Sequence, residues 1–509
     1  MSFFNTQSAN VNAASFTPIR KFKTYYPDSV EKNRRTGILQ CNLMIPPESR
    51  HSKIIYATFF NFVFFLYNRF HRVRFKEQHE RESIMESFCI EGGTPLRGEV
   101  TPSGNKNAAL PLLCATLLTD EPVILHNVPM IRDVLAMRKL IESLGVTFEE
   151  LDPHTWKIQA KNVEPANLDP DMCRRVRASI LLAGPMCARC GELLLPPPGG
   201  DVIGRRRVDT HILALVKLGA DAYYDRQYHF HVNGRLKGCD ILMDEASVTA
   251  TENAIMAAAT AEGTTILRNA ASEPHIQELC HLLNKMGAKI SNIGSNVLTI
   301  EGVESLHSAE FTIGPDYLEV VSYIGAAAMT HGEVMIRNAG NEYLNMVSLV
   351  FNRIGVRWET IGDDILVPEN QRLTVEPDLG GAIPEISVMP WPGFPSDLMS
   401  IAIVMATQVT GSILFHDWMY PSRMYFTDKL VGMGAQIVLC DPHRCIVQGP
   451  TRLYPENLES PDIRAGMALL LATLTAPGKS TIRNIGQIER GYERVDEKLS
   501  ALGAKITRI

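Results

Sequence analysis

A disulfide framework of the secreted kind is missing from this chain. Its ten cysteines are scattered without regular spacing, which points to a reducing compartment, the cytoplasm. Excess charge of either sign is missing too. A formal net charge of −6 excludes the strongly basic balance of a dedicated nucleic-acid binder, while leaving room for local anion sites. Apolar runs long enough to span a bilayer are also lacking. The aromatic-rich stretch at residues 54–66 falls short of the ~20 apolar residues that a spanning helix needs. It lies too far from Met1 for a signal peptide, and no small-residue cleavage site follows it. A lone CxxC, Cys187 and Cys190, has no second pair or histidine cluster beside it. It therefore reads as two small apolar side chains rather than a zinc or redox site.

What is present is a repeat. A helix-like stretch closing on an apolar residue, then Gly-Ala or Gly-Val, then β-formers, recurs at Leu144-Gly145-Val146, Leu218-Gly219-Ala220, Met286-Gly287-Ala288, Ile354-Gly355-Val356, Met433-Gly434-Ala435 and Leu502-Gly503-Ala504. These glycines read as helix C-caps in the left-handed conformation. Upstream of five of them a strand ends in a basic or His residue followed by Asn or Asp: His126-Asn127, Arg268-Asn269, Arg337-Asn338, His416-Asp417 and Arg483-Asn484. The unit before Gly219 lacks this phrase. In its place stands a cationic loop, Pro196-Pro197-Pro198-Gly199-Gly200-Asp201-Val202-Ile203-Gly204-Arg205-Arg206-Arg207. Residues 1–84 do not share the repeat and are more basic than the rest. They read as a separate extension, disordered or an over-extended start, with peripheral membrane contact by residues 54–66 as the alternative.

Each unit also holds an apolar segment rich in small residues, at 108–118, 178–188, 254–261, 320–329, 398–406 and 465–474. Segments apolar on every side belong inside a protein. The expected fold class is α/β, six βαβαββ units divided three and three. The boundaries are a first domain at 106–314 and a discontinuous second one of 85–105 plus 315–509, crossing over near Gly314-Pro315-Asp316. A first strand around residues 90–100 is expected to pair with the C-terminal half.

The buried segments begin with polar residues: Asn105-Lys106-Asn107, Arg177-Ala178-Ser179, Thr251-Glu252-Asn253, Glu319, Ser396-Asp397 and Asp462-Ile463-Arg464. Three of them place a fixed cation where helix N–H groups already favour negative charge. If these tips converge, Lys106, Arg177, Arg206 and Arg464 form an anion pocket for phosphate and carboxylate groups. His126, His211 and His416 read as local hydrogen-bond partners rather than catalysts. Met329, Met405 and Met467 read as core filler.

Several of these phrases are recognisable together. Ser103-Gly104-Asn105-Lys106-Asn107-Ala108-Ala109-Leu110-Pro111, Arg177-Ala178-Ser179, the Pro-Gly-Gly loop, Arg206 to His211, Phe394-Pro395-Ser396-Asp397 and Arg490-Gly491-Tyr492-Glu493-Arg494 closely resemble the UDP-N-acetylglucosamine 1-carboxyvinyltransferase family of enolpyruvyl transferases. The resemblance implies a two-domain inside-out α/β barrel that closes over its substrates. It implies transfer of the enolpyruvyl group of phosphoenolpyruvate to the 3'-hydroxyl of UDP-N-acetylglucosamine, opening peptidoglycan precursor synthesis, with no metal or organic cofactor. Carried over residue by residue, it makes Asp201, Asp397, Lys106 and Arg464 catalytic. It gives substrate binding to Lys106, Asn107, Arg177, Arg206, Arg207, Val208, Asp209, Thr210, Glu245, Ala246, Ser247, Val248, Asp397 and Met419. Arg423 fits the family's loop near the sugar, or else a surface ion pair.

Asp201 departs from the pattern. Most relatives carry Cys there, the proton donor that fosfomycin alkylates, so the resemblance also implies insensitivity to that drug. Two other readings compete. A shikimate-pathway enolpyruvyl transferase typically has Gly-Ser-Lys-Ser in place of the Ser103 to Asn107 phrase, and a catalytically silent UDP-sugar-binding paralogue would bind without turnover.

Overall fold

The computed structural model describes residues 86–200, 203–204 and 206–509. Residues 1–84 and Asp201 lie outside the described residues. The six small-residue segments form buried helices. Four are helical from their start, at Lys106–Ala115, Val248–Ala258, Tyr317–Met329 and Ile463–Thr475. Two begin as 3₁₀ turns, Arg177–Leu182 before Ala183–Arg189 and Ser396–Leu398 before Met399–Ala406. In the first of these, Pro185 has no N–H to give Leu181, so a regular ladder cannot run through that turn. Every residue of Tyr317–Met329 is buried, and each Leu, Ile or Val inside contributes about 1.5–3 kcal/mol of transfer free energy. Met329, Met405 and Met467 sit in this interior.

Among the described residues, the buried apolar side chains, Ile203 apart, fall into two clusters. One spans residues 108–313, and the other joins residues 88–100 to 317–504. Around them, among the same residues, stand six sheets, five of four strands and one of three. All six repeat glycines take positive φ, from +78° at Gly355 to +104° at Gly219. They end the amphipathic helices that cover the sheets, releasing the chain into a strand. Four of the five strand-end residues of the second phrase, Asn127, Asn269, Asn338 and Asn484, also have positive φ. Asparagine tolerates this region better than most residues.

The early strands join the far end of the chain. Ser87–Gly92 lies between Gly478–Arg483 and Lys505–Arg508, antiparallel to both, and Arg97–Val100 pairs in parallel with Glu333–Ile336. Ala309–Thr312 returns to pair with Val123–His126 of the first unit. The two connections between the clusters run side by side: Asn105 N–H donates to Gly314 O at 2.8 Å and Asp316 N–H to Ser103 O at 2.9 Å. Gly104 is required there, because a Cβ would stand 1.8 Å from the Asn127 carbonyl oxygen.

The unit that breaks the sequence rule also breaks the sheet rule. In five sheets a parallel strand flanks the strand that follows the buried helix. The sheet of Glu192–Leu195, Tyr228–Val232 and Ala220–Tyr224 has none. A 3₁₀ turn at Pro165–Asn167, closely followed by Pro170, touches that edge instead, since proline cannot donate to a ladder. Glu192–Leu195 then runs straight into the Pro196 loop.

Candidate active site

The tips of the buried helices supply the site, although three of them are capped from within. Asn105 accepts from Asn107 and Ala108 N–H. Asp316 accepts from Leu318 and Glu319 N–H, and Asp462 from Arg464 and Ala465 N–H. Side-chain oxygens thus satisfy first-turn donors at these three ends, so part of the backbone contribution expected beside Lys106 and Arg464 is taken up from within.

Asp397 sits at the centre. Arg464 Nη2 and Nε approach its Oδ2 at 3.1 and 3.2 Å, while Arg423 Nη2 stands 2.9 Å from Oδ1. A third of the Asp397 side chain is open to the cleft, yet the carboxyl is packed deep among protein atoms. That burial alone would raise its pKa. Arg464, Arg423 and Lys106 outweigh it and hold the carboxyl well below the ordinary carboxylate range. Arg464 is held above its ordinary value: burial opposes this, and Asp397, Tyr492 and Asp316 prevail. Its guanidinium lies over the Tyr492 ring at 5.7 Å, and the Tyr492 hydroxyl shares a hydrogen bond of 3.0 Å with Ser322 Oγ. Among the described residues, Arg464 Nη1 and Arg423 Nε are buried without a hydrogen-bond partner. Unpaired buried donors on two cations leave capacity for an anionic acceptor.

Lys106 Nζ pairs with Asp133 Oδ2 at 2.9 Å, and Asp133 Oδ1 accepts from Arg490 Nε at 2.9 Å. Burial again opposes ionisation of Asp133, and Lys106 and Arg490 outweigh it, lowering its pKa. This group ties the two clusters together, since Asp133 lies in the first turn of the covering helix Arg132–Ser143 and Arg490 lies in the last unit. Glu493 Oε2 accepts from Met130 N–H at 3.0 Å beside it.

Arg177 lies against the segment that follows the cationic loop. Its Nη2 donates to Arg206 O at 3.0 Å and Arg207 O at 3.2 Å. Burial, then the Arg206 charge, lowers its pKa to about 10. Arg206 in turn lies within electrostatic reach of Tyr420. Arg207, expected to hold substrate, faces carboxylates: Asp209 at 3.2 Å, Asp244 at 3.0 Å and Glu245 at 3.9 Å. Ser247 caps the Val248 helix without a side-chain bond of its own. Val208 precedes the Asp209–Lys217 helix and Thr210 is buried in its first turn. Asn107 and Ala246 are partly exposed at their helix entries. Met419 donates its N–H to Asp417 Oδ1 at 3.1 Å.

Asp201 is outside the described residues, but Gly199, Ile203 and Gly204 of its loop are described. A Cβ on Gly199 would stand 1.7 Å from Arg174 O. Downstream, Ser422 N–H donates to Ile203 O at 3.3 Å and Gly204 packs on Pro421, so the loop touches the second cluster's side of the cleft.

Two expectations change. Arg423 is not a surface ion-pair partner; its side chain is 3 % exposed and holds Asp397. Asp133 and Arg490 enter the site, although the sequence offers only an acid in an ordinary first turn and an arginine in a motif of unassigned role. The three histidines make local bonds. His126 reaches Thr155 Oγ1 and Glu310, and His416 reaches Glu385. His211 Nδ1 accepts from Asn253 at 2.8 Å, which leaves Nε2–H for Thr249 Oγ1 at 3.1 Å. Burial, reinforced by Arg177, lowers its pKa to about 3, so it stays neutral. Cys187 and Cys190 are free thiols, and burial pushes Cys187 up to about 12. Among the described residues no helix is long and apolar enough to cross a membrane.

The comparisons with known proteins bear on this arrangement. A family profile described as EPSP synthase (3-phosphoshikimate 1-carboxyvinyltransferase) matches residues 90–499. The chain belongs to the EPSP synthase family. It is 53% identical over 422 residues to a UDP-N-acetylglucosamine 1-carboxyvinyltransferase of Treponema denticola, covering 83% of this chain and 99% of the relative. It is 54% identical to a protein of the same name from Bradyrhizobium diazoefficiens, covering 83% and 98%. Among solved structures it is similar to the enolpyruvyl transferase NikO from Streptomyces tendae, at 24% identity and a TM-score of 0.74, covering 83% and 99%. It is similar also to the EPSP synthase of Acinetobacter baumannii, at 17% identity and a TM-score of 0.64, covering 83% and 100%. The mixed α/β fold is thus EPSP synthase-like.

Proposed function

We propose that this chain is an enolpyruvyl transferase that moves the enolpyruvyl group of phosphoenolpyruvate onto the 3'-hydroxyl of UDP-N-acetylglucosamine and releases phosphate, the first committed step toward peptidoglycan precursors. The observation that carries this reading is the carboxylate of Asp397, clasped by Arg464 and Arg423 within electrostatic reach of Lys106. A donor with a carboxylate and a phosphate on three carbons needs such an excess of fixed cations in a cleft that excludes water. Half of all aligned positions shared with relatives of that name support UDP-N-acetylglucosamine as the acceptor. Likeness to EPSP synthases at 17% identity is a likeness of fold, so the shikimate reading has less support.

In the chemistry that follows, Lys106, Arg206 and Arg464 hold the donor anion, Asn107 orients it, and Arg177 with residues 206–210 and 245–248 and Met419 holds the UDP-sugar. Asp201 gives a proton to carbon 3 as carbon 2 gains cationic character. The sugar oxygen bonds to carbon 2 while its proton passes to Asp397. Held below the ordinary range, Asp397 is ionised at neutral pH, and it accepts that proton as it aims the hydroxyl. The tetrahedral ketal then breaks its carbon 2–oxygen bond to phosphate, which leaves with the proton held by Asp397, while carbon 3 returns a proton to Asp201, giving the enol ether. The two apolar clusters and their strand pairing support the division into 106–314 and 85–105 plus 315–509, folded as an inside-out barrel of six units.

Incubation with both substrates, followed by identification of the enolpyruvyl ether by mass, tests this reading. Binding of UDP-N-acetylglucosamine with no such product would select the silent paralogue instead. The Asp201 assignment has its own test. A carboxylate is a poor soft nucleophile beside a thiolate, so fosfomycin should leave activity unchanged over time, and Asp201→Cys should acquire time-dependent inactivation. A general acid must be protonated, so the same variant should carry activity to higher pH, toward the thiol's ~8.5. Rapid covalent inactivation of the unaltered protein would overturn the assignment.

A further inference from the structure

Resting on the reading above, we infer that Asp244 is a positioning residue that locks together the two segments holding the UDP-sugar, residues 206–210 and 245–248. Its carboxylate spans the gap between them. Thr210 Oγ1 donates to Asp244 Oδ1 at 2.7 Å, and Arg207 Nη2 donates to Oδ2 at 3.0 Å. Residue 244 leads directly into the second segment, and Thr210 and Arg207 belong to the first. The Thr210 side chain is buried, so its hydroxyl has few alternative partners.

The other side of the second segment is pinned separately. Met243 N–H donates to Arg268 O at 3.0 Å, and Asn269 Nδ2 donates to Met243 O at 3.0 Å. Deeper in, His211 joins Thr249 and Asn253 of the Val248 helix. The inner stitch is therefore the neutral imidazole and the outer one, at the rim where substrate arrives, is Asp244. The same geometry gives Arg207 a bracing task beside its place in the binding segment, with Asp209, Asp244 and Glu245 around its guanidinium.

An exposed ion pair contributes little to stability, ~0–1 kcal/mol, so the consequence belongs to substrate affinity. A loosened segment must be ordered when the sugar nucleotide binds, which weakens binding without touching the reacting atoms. In the full-length protein, Asp244→Ala should raise KM for UDP-N-acetylglucosamine, and its Kd by calorimetry, about tenfold. KM for phosphoenolpyruvate and kcat should stay within about twofold, and the melting temperature should be essentially unchanged. Asp244→Asn, which keeps the shape but loses the charge that faces Arg207, should show the same split to a smaller degree. A fall in kcat at constant KM, or an equal rise in both KM values, would overturn the inference. Should Asp244→Ala fold poorly, Asp244→Asn decides the matter by the same split. If the unaltered protein binds no UDP-N-acetylglucosamine at all, the underlying reading fails and the inference falls with it; if it binds and the variants bind equally well, only the inference fails.

Discussion

At the scale of single residues, the candidate site turns on Asp397. A carboxylate between two buried guanidiniums stays ionised through neutral and mildly acidic pH, since its pKa lies below the usual range. The stabilisation it gives is present above the unfolded carboxylate value of ~3.9 and is lost only as pH falls toward the folded value. An acidic fall in activity above pH ~4 would therefore belong to another group. Asp397→Asn keeps the shape and removes the charge. It should lower the rate of phosphate release by roughly 10²–10⁴-fold, with urea denaturation showing a loss of up to ~3–5 kcal/mol from the two guanidiniums left uncompensated. A variant with near-normal turnover would remove Asp397 from the chemistry. Asp397, Lys106 and Arg464 were legible in the sequence because each follows a polar helix start and stands in a recognisable phrase. Asp133 was not. Its role exists only because the Arg132–Ser143 helix faces Arg490 across the seam, a contact between residues 357 apart that no local pattern encodes.

At the scale of elements, the repeat glycines carry the most readable information. All six were legible as caps, and all six take positive φ. They differ in what surrounds them, which yields a graded prediction. A Cβ at Gly219 would meet nothing within 4 Å, whereas at Gly145 it would stand 2.8 Å from Asn162 O. Gly219→Ala should cost about 1 kcal/mol, from backbone strain alone. Gly145→Ala should cost more, as measured by urea denaturation, because the Asn162 carbonyl must also move. Equal costs would mean that the capping conformation, not the surroundings, sets the whole effect. The left-handed asparagines were less legible. Their position in the phrase was evident, but Asp417, which shares it, uses its carboxylate to accept from Ser396 Oγ and from Met419 and Tyr420 N–H. One sequence position thus serves two local geometries.

Across the whole molecule, the six-unit plan and the return of the N-terminal strands to the far end were visible in the spacing. The charges stored along the seam were not. Glu273 and Glu278 both have pKa values raised to about 7, chiefly by burial. For Glu278, Asp316 and Glu342 add to the rise while Gly314 N–H opposes it, donating to Oε2 at 2.9 Å where the chain crosses between clusters. A carboxyl with a raised folded pKa binds its proton more tightly when native. Its contribution is complete below the unfolded value of ~4.3 and declines as pH rises through 7. Melting temperature should accordingly fall between pH 5 and 8, and Glu278→Gln should flatten part of that fall. An unchanged slope in the variant would show that Glu278 ionises freely in the folded protein.

The measurement that bears most directly on the central claim, that cations from both apolar clusters grip phosphoenolpyruvate beside a sugar nucleotide, is phosphate release with the acceptor varied. Phosphate should be released from phosphoenolpyruvate when UDP-N-acetylglucosamine is supplied and not with shikimate 3-phosphate. Release with shikimate 3-phosphate instead, or with neither acceptor, would contradict it.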